Sequence, residues 1–382
     1  MRRLLVLASA MVFFDVVFYA AIAPLLPTYV ADFGLSKAQA GILTASYAAG
    51  TLLASLPAGL VAARFGPRRS VIAGLLLLGA ASLVFGFAKE IALLDVARFV
   101  QGVAGALIWS GALTWLVTTA PPEQRGSVIG TALGTAVAGA LVGPALGAIA
   151  ASIGTEVVFG SVMAIALVFA FVASRMPDAR VPETQGLREV FTTMVSRPVL
   201  TAMAFVTVPS LMFGAIEVLV PLRIDELGGS HALIAGGFIA GAALEAVLAP
   251  IAGRYSDRAG RRGPFTVGLT ICALAMAVIA VAATLGAVLA ALICTSLGAG
   301  ICFAPALTML SEAAESTGLH QGFSAGLSNM GWATGQVIGG IAGGAAASIA
   351  GNALPSFAIV ALLIVTVAYA HRALAPAPTP TG

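Results

Sequence analysis

The chain is a succession of long apolar segments, and this pattern constrains its fold more than any other feature. Each segment is about 20 residues or longer, which is the length of an α-helix that spans the hydrocarbon core of a bilayer. The segments lie at 4–30, 38–62, 70–88, 91–118, 127–152, 155–174, 199–222, 231–252, 265–285, 287–311, 321–347 and 352–374. We therefore predict an all-α integral membrane protein with twelve transmembrane helices.

Charged residues are too scarce for a soluble protein. Asp, Glu, Lys and Arg form 9% of the chain, compared with about 25% in a typical soluble domain. So few charges cannot cover a water-facing surface, which excludes a soluble enzyme, a nucleic-acid-binding protein and a disordered chain. The three cysteines (Cys272, Cys294 and Cys302) lie in apolar segments and are expected to be buried thiols. With no metal-ligand cluster or phosphate-binding loop in the sequence, we expect neither enzymatic activity nor a cofactor.

The distribution of Lys and Arg predicts the orientation in the membrane. Arg2 and Arg3 followed by an apolar run resemble a signal peptide, but the run continues to Val30 and contains Asp15, so we predict a retained first helix. With the N-terminus inside, fifteen of the 19 basic residues lie on the cytoplasmic side, and only Lys37, Lys89 and Arg223 lie outside. This excess predicts a multi-pass protein of a bacterial-type inner membrane with both termini in the cytoplasm.

Two landmarks recur 194 residues apart and indicate duplicated halves. Related loop sequences begin at Gly59 and Gly253, and prolines stand at Pro27 and Pro221. We predict an N-terminal six-helix half (1–174), a cytoplasmic linker (175–198) and a C-terminal six-helix half (199–382). Parallel six-helix repeats are typical of transporters that bind substrate near the membrane midplane between the halves.

The loops that follow spans 2 and 8 resemble a motif of the major facilitator superfamily, G-x-x-x-D-R-x-G-R-R/K. The second copy is complete, whereas the first has Ala63 at the acidic position. The resemblance implies a gating role in which the motif latches helices on the cytoplasmic side of the outward-facing state. The residues that match are Gly59, Arg64, Gly66 and Arg68 in the first copy, and Gly253, Asp257, Arg258, Gly260 and Arg262 in the second.

Two further motifs support this resemblance. Arg98, Gln101 and Gly102 in span 4 match R-x-x-Q-G, and span 5 resembles the glycine-and-proline motif of the antiporter branches. Four-residue glycine spacing leaves one helix face bare, so that helices can pack closely. The span 5 motif contains Gly139, Gly143, Pro144 and Gly147, and span 11 repeats the spacing at Gly331, Gly335, Gly339 and Gly343.

The acids within the spans resemble those of proton-driven drug antiporters, a group that includes the vesicular monoamine transporters. In those relatives, acids in spans 1, 7 and 10 serve amine binding and proton coupling. The resemblance assigns these roles to Asp15, Glu217 and Glu312. An acid expected in span 11 is replaced by Asn329, which leaves the proton stoichiometry open.

An intramembrane acid costs about 2.5–3.5 kcal/mol on insertion scales, so each one is a candidate for function. A proton and a cationic substrate compete for the same carboxylate, which is the minimal chemistry of exchange. Glu217 lies between Gly214 and Pro221, which weaken its helix, and Asp15 shares a face with Tyr19, whose ring suits an organic cation. The alternatives are a structural hydrogen bond for Glu217 and plain packing for the aromatic ring.

Arg98 is the one basic residue within a span, and two interpretations remain open for it. An ion pair with Asp95, one turn away, would be structural. Alternatively, Arg98 exchanges partners with the acids, and Gln101 and Trp109 on the same face line a cavity.

Five further polar residues have both structural and functional interpretations. Glu245 lies on a small-residue face that favours packing or a bond across an interface, and Glu312 ends span 10, where a solvated acid is common. The stripe of Asn329, Trp332 and Gln336 on span 11 serves either substrate binding or interhelical hydrogen bonding.

We predict a proton-coupled antiporter that exports hydrophobic organic cations or drugs by alternating access, driven by the proton gradient and acting as a monomer. Its expected partners are a lipophilic cation, protons and the lipid bilayer. One alternative is a transporter of a neutral metabolite such as a sugar or an amino acid. Another is a membrane receptor that does not transport.

Overall fold

The computed structural model describes residues 1–121, 124–179, 194–317 and 321–374, without the side chains of residues 321–325. Thirteen α-helices make up most of this described part. They are α1 (Arg2–Ala20), α2 (Ile22–Phe33), α3 (Lys37–Phe65), α4 (Pro67–Phe87), α5 (Ile91–Thr119), α6 (Arg125–Ile153), α7 (Thr155–Ser174), α8 (Arg197–Glu226), α9 (His231–Ala259), α10 (Arg262–Val281), α11 (Leu285–Ser316), α12 (Gln321–Ala350) and α13 (Ala353–Ala373).

Eleven stretches of the described residues are long and apolar enough to cross a bilayer. One of them combines α1 and α2, which are separated by a break at Ala21. Pro24 follows the break and has no N–H to bond the carbonyl of Ala20, which favours ending the helix there. The remaining predicted span corresponds to the glycine-rich α12, which is 30 residues long. The all-α membrane fold predicted from the sequence is confirmed.

The two halves repeat each other with the 194-residue offset. The ranges of α3 and α9, Lys37–Phe65 and His231–Ala259, coincide under this offset. Ser36 and Ser230 cap the two helices, and Gly66 and Gly260 follow them with φ of 92° and 86°. We call α1–α7 the N-terminal half and α8–α13 the C-terminal half. The linker limits at 175 and 198 stay a prediction, since residues 180–193 lie outside the described part.

The halves pack against each other at the end of the bundle opposite the start of α1 and the end of α13, which we call the distal end. There, α3 meets α12 so closely that a Cβ on Gly41 or Gly344 would overlap the backbone of the opposite helix. The Lys37 ammonium lies 2.7 Å from Glu226 Oε1. Thr28 and His231 are also hydrogen-bonded across the interface at 3.0 Å.

At the terminal end, where α1 begins and α13 ends, the polar contacts that we find lie within one half or join it to the residues that follow α7. Arg68 donates to the carbonyl of Met176 at 2.9 Å and forms an ion pair with Asp178 at 3.7 Å. In the C-terminal half, Arg262 is hydrogen-bonded to His371. Among the described residues, these polar contacts between the halves therefore lie at the distal end, and we find none at the terminal end.

Candidate functional site

A cluster of polar and aromatic side chains lies at the centre of the bundle, where the two halves meet. Five helices contribute to it, because the break after α1 and the glycines of α5, α8 and α12 allow close approach. The members are Asp15 and Tyr19 on α1, Tyr47 on α3, Arg98, Gln101 and Trp109 on α5, Glu217 on α8, and Trp332 and Gln336 on α12. We call this set the central cluster.

Asp15 is fully buried and is held by two neutral donors. The Tyr47 hydroxyl lies 3.0 Å from both carboxylate oxygens, and the Trp109 indole N–H donates to Oδ2 at 3.2 Å. Gly105 provides the space, since a Cβ there would lie 3.0 Å from Oδ1 and overlap the Tyr47 hydroxyl. Asp15 forms no ion pair with a described residue.

Glu217 is bound across the interface between the halves. The Tyr19 hydroxyl donates to Glu217 Oε1 at 2.7 Å, and the Gln336 amide donates to the Tyr19 oxygen at 3.0 Å. The Trp332 ring packs edge-on against Tyr19, with centroids 5.4 Å apart. Gly214 leaves room for Gln336, because a Cβ there would lie 2.9 Å from its side-chain oxygen. One tyrosine of the N-terminal half thus contacts two polar residues of the C-terminal half.

Arg98 does not pair with Asp95, so the ion pair considered from the sequence is wrong. Arg98 is 1% exposed, and its guanidinium instead donates to the carbonyls of Phe18 and Tyr19 at 3.4 and 3.3 Å. These carbonyls belong to the last turn of α1, where helices leave backbone acceptors free and the dipole favours a cation. The break after α1 therefore leaves backbone carbonyls free to bind Arg98. The spacing of residues within α5 did not indicate these partners.

Gln101 helps to hold the Arg98 side chain in place. Its side-chain oxygen accepts from Arg98 at 3.0 Å, and its amide donates to Ser82 Oγ at 2.9 Å. Gln101 is fully buried, so in this conformation it orients the guanidinium rather than lining an open cavity. Trp109, which was predicted to lie on the same face of α5, is half-buried and contacts Asp15 directly.

Two glycine series pack the acid-bearing helices tightly. On α6, a Cβ at Gly143 would lie 2.6 Å from the carbonyl oxygen of Val17, and the Pro144 beside it is buried. On α12, a Cβ at Gly335 would lie 2.6 Å from the backbone nitrogen of Leu211 on α8. Gly139 faces α1, Gly147 faces the break at Ala21, and Gly331, Gly339 and Gly343 face α8. These bare faces position Asp15 and Glu217.

Three predicted site residues lie outside the central cluster. Glu312 forms an ion pair with Arg261 at the terminal end, and its side chain is 55% exposed. Glu245 is partly buried on α9 where that helix passes Gly300 of α11, and it has no hydrogen bond or ion pair with described residues. Asn329 is partly buried two turns from Gln336, toward the terminal end.

The gating residues predicted from the loop motif lie at the terminal end, whereas Gly139, Gly143 and Pro144, also predicted to serve conformational change, lie on α6 where its glycines pack against α1. Arg68 anchors the chain that follows α7, and Ala63 is half-buried at the acidic position of the first motif. Asp257 and Arg258 are exposed and take part in no hydrogen bond or ion pair within the described ranges. Arg64 packs over Phe65, Gly59 has open space beside it, and Gly253 faces Ala304 of α11.

Sequence reasoning missed Tyr47, which contacts Asp15, Arg98 and Tyr19. Its ring centroid lies 5.1 Å from Arg98 Cζ and 4.9 Å from the Tyr19 centroid. A tyrosine hydroxyl in the middle of a membrane span needs a hydrogen-bond partner. This requirement is the sequence signal that could have identified Tyr47. The identity of that partner depends on how α3 docks on α5.

The central cluster combines two buried acids with aromatic rings, a chemistry suited to binding a cation. Both acids accept hydrogen bonds from neutral donors, so neither charge is cancelled by an ion pair with a described residue. The aromatic rings of Tyr19, Tyr47 and Trp332 surround this region and offer faces that attract organic cations. The described residues contain no group of His, Cys, Asp or Glu suited to a metal ion.

A family model described as the Major Facilitator Superfamily matches residues 7–325 and 246–382. Curated relatives match shorter stretches. The chain is 34% identical over 125 residues to the MFS-type transporter ppzB of Metarhizium majus, covering 31% of this chain and 27% of that protein. It is 26% identical over 149 residues to multidrug resistance protein 2 of Bacillus subtilis, covering 39% of this chain and 37% of that protein.

Two other similarities complete the comparison. The quinolone resistance protein NorA of Staphylococcus aureus is 24% identical over 109 residues, covering 28% of each chain. A bacterial homologue of the human lysosomal transporter Spinster, in an inward-facing and unoccupied conformation, superposes with a TM-score of 0.79 over 99% of both chains at 14% identity. This structural likeness extends over the whole chain and concerns the fold.

Proposed function

The chain belongs to the Major Facilitator Superfamily and is a multi-pass membrane transporter, and we propose that it is a proton-coupled antiporter of hydrophobic organic cations. Its family members are transport proteins rather than enzymes, and a small molecule is the expected cargo. The finer assignment, to exchange of a lipophilic cation for protons, rests on the central cluster.

One observation carries this proposal: two membrane-embedded acids from opposite halves lie in one cluster without a basic ion-pair partner. Asp15 is held by Tyr47 and Trp109, and Glu217 by Tyr19. A cation that enters the cluster gains an ion pair by displacing a neutral donor. A proton that reaches the same carboxylate removes its charge and releases the cation.

The geometry of the halves supports loading from the cytoplasm. Among the described residues, the polar contacts between the halves lie at the level of Tyr19 and toward the distal end, where Lys37 pairs with Glu226. The excess of Arg at the terminal end orients that end toward the cytoplasm by the positive-inside rule. Under this orientation, the end without polar contacts between the halves lies on the cytoplasmic side, from which an exporter takes its substrate.

The names of the relatives agree with efflux. Multidrug resistance protein 2 and the quinolone resistance protein each align with part of this chain. We therefore propose export of drugs across a bacterial-type inner membrane, driven by the proton gradient without a cofactor and carried out by a monomer. Coupling is assigned to Asp15 and Glu217, because Glu312 is engaged with Arg261 outside the cluster.

Expression in a cell that lacks its own drug pumps tests this function. Cells with the intact protein should accumulate less ethidium or tetraphenylphosphonium than cells with the Glu217→Gln variant, and an uncoupler should abolish the difference. Equal accumulation by both strains, at equal protein levels, would overturn the proposal. Lowered accumulation of a neutral sugar or amino acid instead would favour the neutral-metabolite alternative.

A further inference from the structure

Tyr47 contacts both of the opposite charges buried in the N-terminal half. Its hydroxyl lies 3.0 Å from each oxygen of Asp15, and its ring centroid lies 5.1 Å from Arg98 Cζ. We propose that Tyr47 is a positioning residue that keeps Asp15 charged and separate from Arg98, so that this carboxylate stays available to a cationic substrate. This inference rests on the function proposed above.

The hydroxyl of Tyr47 stabilises the charge of Asp15 without cancelling it. A hydrogen bond to a carboxylate favours the ionised form, and a neutral donor leaves the net charge in place. Asp15 is 0% exposed, so water does not supply this stabilisation. Tyr47 and Trp109 are its two donors among the described residues.

The ring of Tyr47 gives Arg98 a partner other than Asp15. A guanidinium over an aromatic face is attracted by the ring, and Arg98 also donates to the carbonyls of Phe18 and Tyr19. Opposite charges attract strongly in a medium of low dielectric constant. Separate partners for the two charges therefore oppose an internal salt bridge that would compete with the substrate.

Two glycines of α5 create the place that Tyr47 occupies. A Cβ at Gly102 would overlap the carbonyl oxygen of Tyr47 and lie 2.9 Å from the nitrogen of Thr51, so this glycine lets α3 lie directly on α5. A Cβ at Gly105 would overlap the Tyr47 hydroxyl itself. The hydroxyl position is thus determined by α5 as well as by Asp15.

Infrared titration of the purified full-length protein tests the role of the hydroxyl without relying on transport. The carboxyl band of Asp15 is identified by its loss in the Asp15→Asn variant. Tyr47→Phe keeps the ring and removes one of the two donors, so proton affinity at Asp15 should rise about tenfold. Gly105→Ala should act in the same direction, because its methyl group displaces the hydroxyl.

Tyr29→Phe is the matched control, since it removes another buried tyrosine hydroxyl from the same half. Its titration should coincide with that of the wild type. Binding of tetraphenylphosphonium is then measured on the same samples at several pH values, and Tyr47→Phe should bind about tenfold more weakly where protons compete.

Two outcomes separate the failure of this inference from the failure of the proposed function. If Tyr47→Phe titrates and binds like Tyr29→Phe while the wild type binds the cation, the role of Tyr47 is overturned. If the infrared shift appears but the wild type binds no cation at any pH, the positioning of Asp15 stands and the antiporter function fails.

Discussion

The Tyr19 hydroxyl of α1 donates a 2.7 Å hydrogen bond to Glu217 of α8, so a side chain of one half binds the acid of the other half. The same oxygen accepts a hydrogen bond from Gln336 of α12. Any ligand or proton that changes the charge of Glu217 therefore also changes a contact between the halves. Under the proposed function, this geometry links exchange at Glu217 to the conformation of the transporter.

Tyr19→Phe should shift the protein away from the conformation with a closed distal end. The substitution keeps the ring against Trp332 but removes two hydrogen bonds between the halves, and at about 1 kcal/mol each their loss changes the population ratio roughly thirtyfold. Spin labels on the α2–α3 and α12–α13 loops report the distal distance. A longer second distance should appear in the variant, with Tyr369→Phe as a control. A single distribution equal to that of the wild type would contradict the prediction.

Cation binding should weaken as the pH falls. Protonation of Asp15 and Glu217 removes the negative charges that attract the cation, so affinity is highest when both are ionised. Asp15→Asn and Glu217→Gln should each reduce both the affinity and its dependence on pH, and the double variant should show neither. Equilibrium binding of tetraphenylphosphonium between pH 5 and 9 checks this. Full pH dependence in the double variant would place the titrating groups elsewhere.

Gly143→Ala should destabilise the protein because the added methyl group meets Val17 and Ala20 of α1. A Cβ there would lie 2.6 Å from the Val17 carbonyl oxygen, so α6 must move away from the helix that carries Asp15. Gly130→Ala on the same helix is the matched control, since open space surrounds that position. We expect Gly143→Ala to lower the Tm measured by tryptophan fluorescence. Gly130→Ala should leave it unchanged or raise it, because alanine favours the helix by up to about 1 kcal/mol. Equal Tm values for both variants would show that this contact does not limit stability.

The ion pair between Lys37 and Glu226 should make a small, salt-dependent contribution to closure of the distal end. The atoms lie 2.7 Å apart, but both side chains are partly exposed, and such pairs contribute about 0.2–1 kcal/mol. A double-mutant cycle with Lys37→Met and Glu226→Gln, read out by the distal spin-label distances, measures this coupling. The coupling should fall at high salt. A coupling energy of several kcal/mol would mean that the pair is the main latch.

The sequence predicted those features that depend on local pattern. Apolar length located the helices, the 194-residue repeat divided the chain, and the cost of intramembrane charge singled out Asp15 and Glu217. The partners of those residues depend on how distant helices dock. Asp95 was a possible partner for Arg98 because the two residues are one turn apart on the same helix. The carbonyls that bind Arg98 lie on α1 instead.

The contact between Asp15 and Tyr47 also depends on how distant helices dock. It forms because Gly102 and Gly105 allow α3 to approach α5, and no spacing rule within α3 indicates it. Glu312 illustrates the converse: family resemblance placed it at the site, while the structure pairs it with Arg261 at the terminal end. The sequence shows which residues are acidic, basic or aromatic. Which of them lie together in the central cluster depends on the fold.

Proton movement driven by a cation gradient in proteoliposomes tests proton-coupled exchange most directly. Purified protein is reconstituted with a pH-sensitive dye inside, and an imposed tetraphenylphosphonium or ethidium gradient is applied. Proton flux should run opposite to the cation, should be abolished in the Asp15→Asn/Glu217→Gln double variant and should be retained in Tyr369→Phe. Cation transport without proton movement, or equal proton flux in the double variant, would contradict proton-coupled exchange.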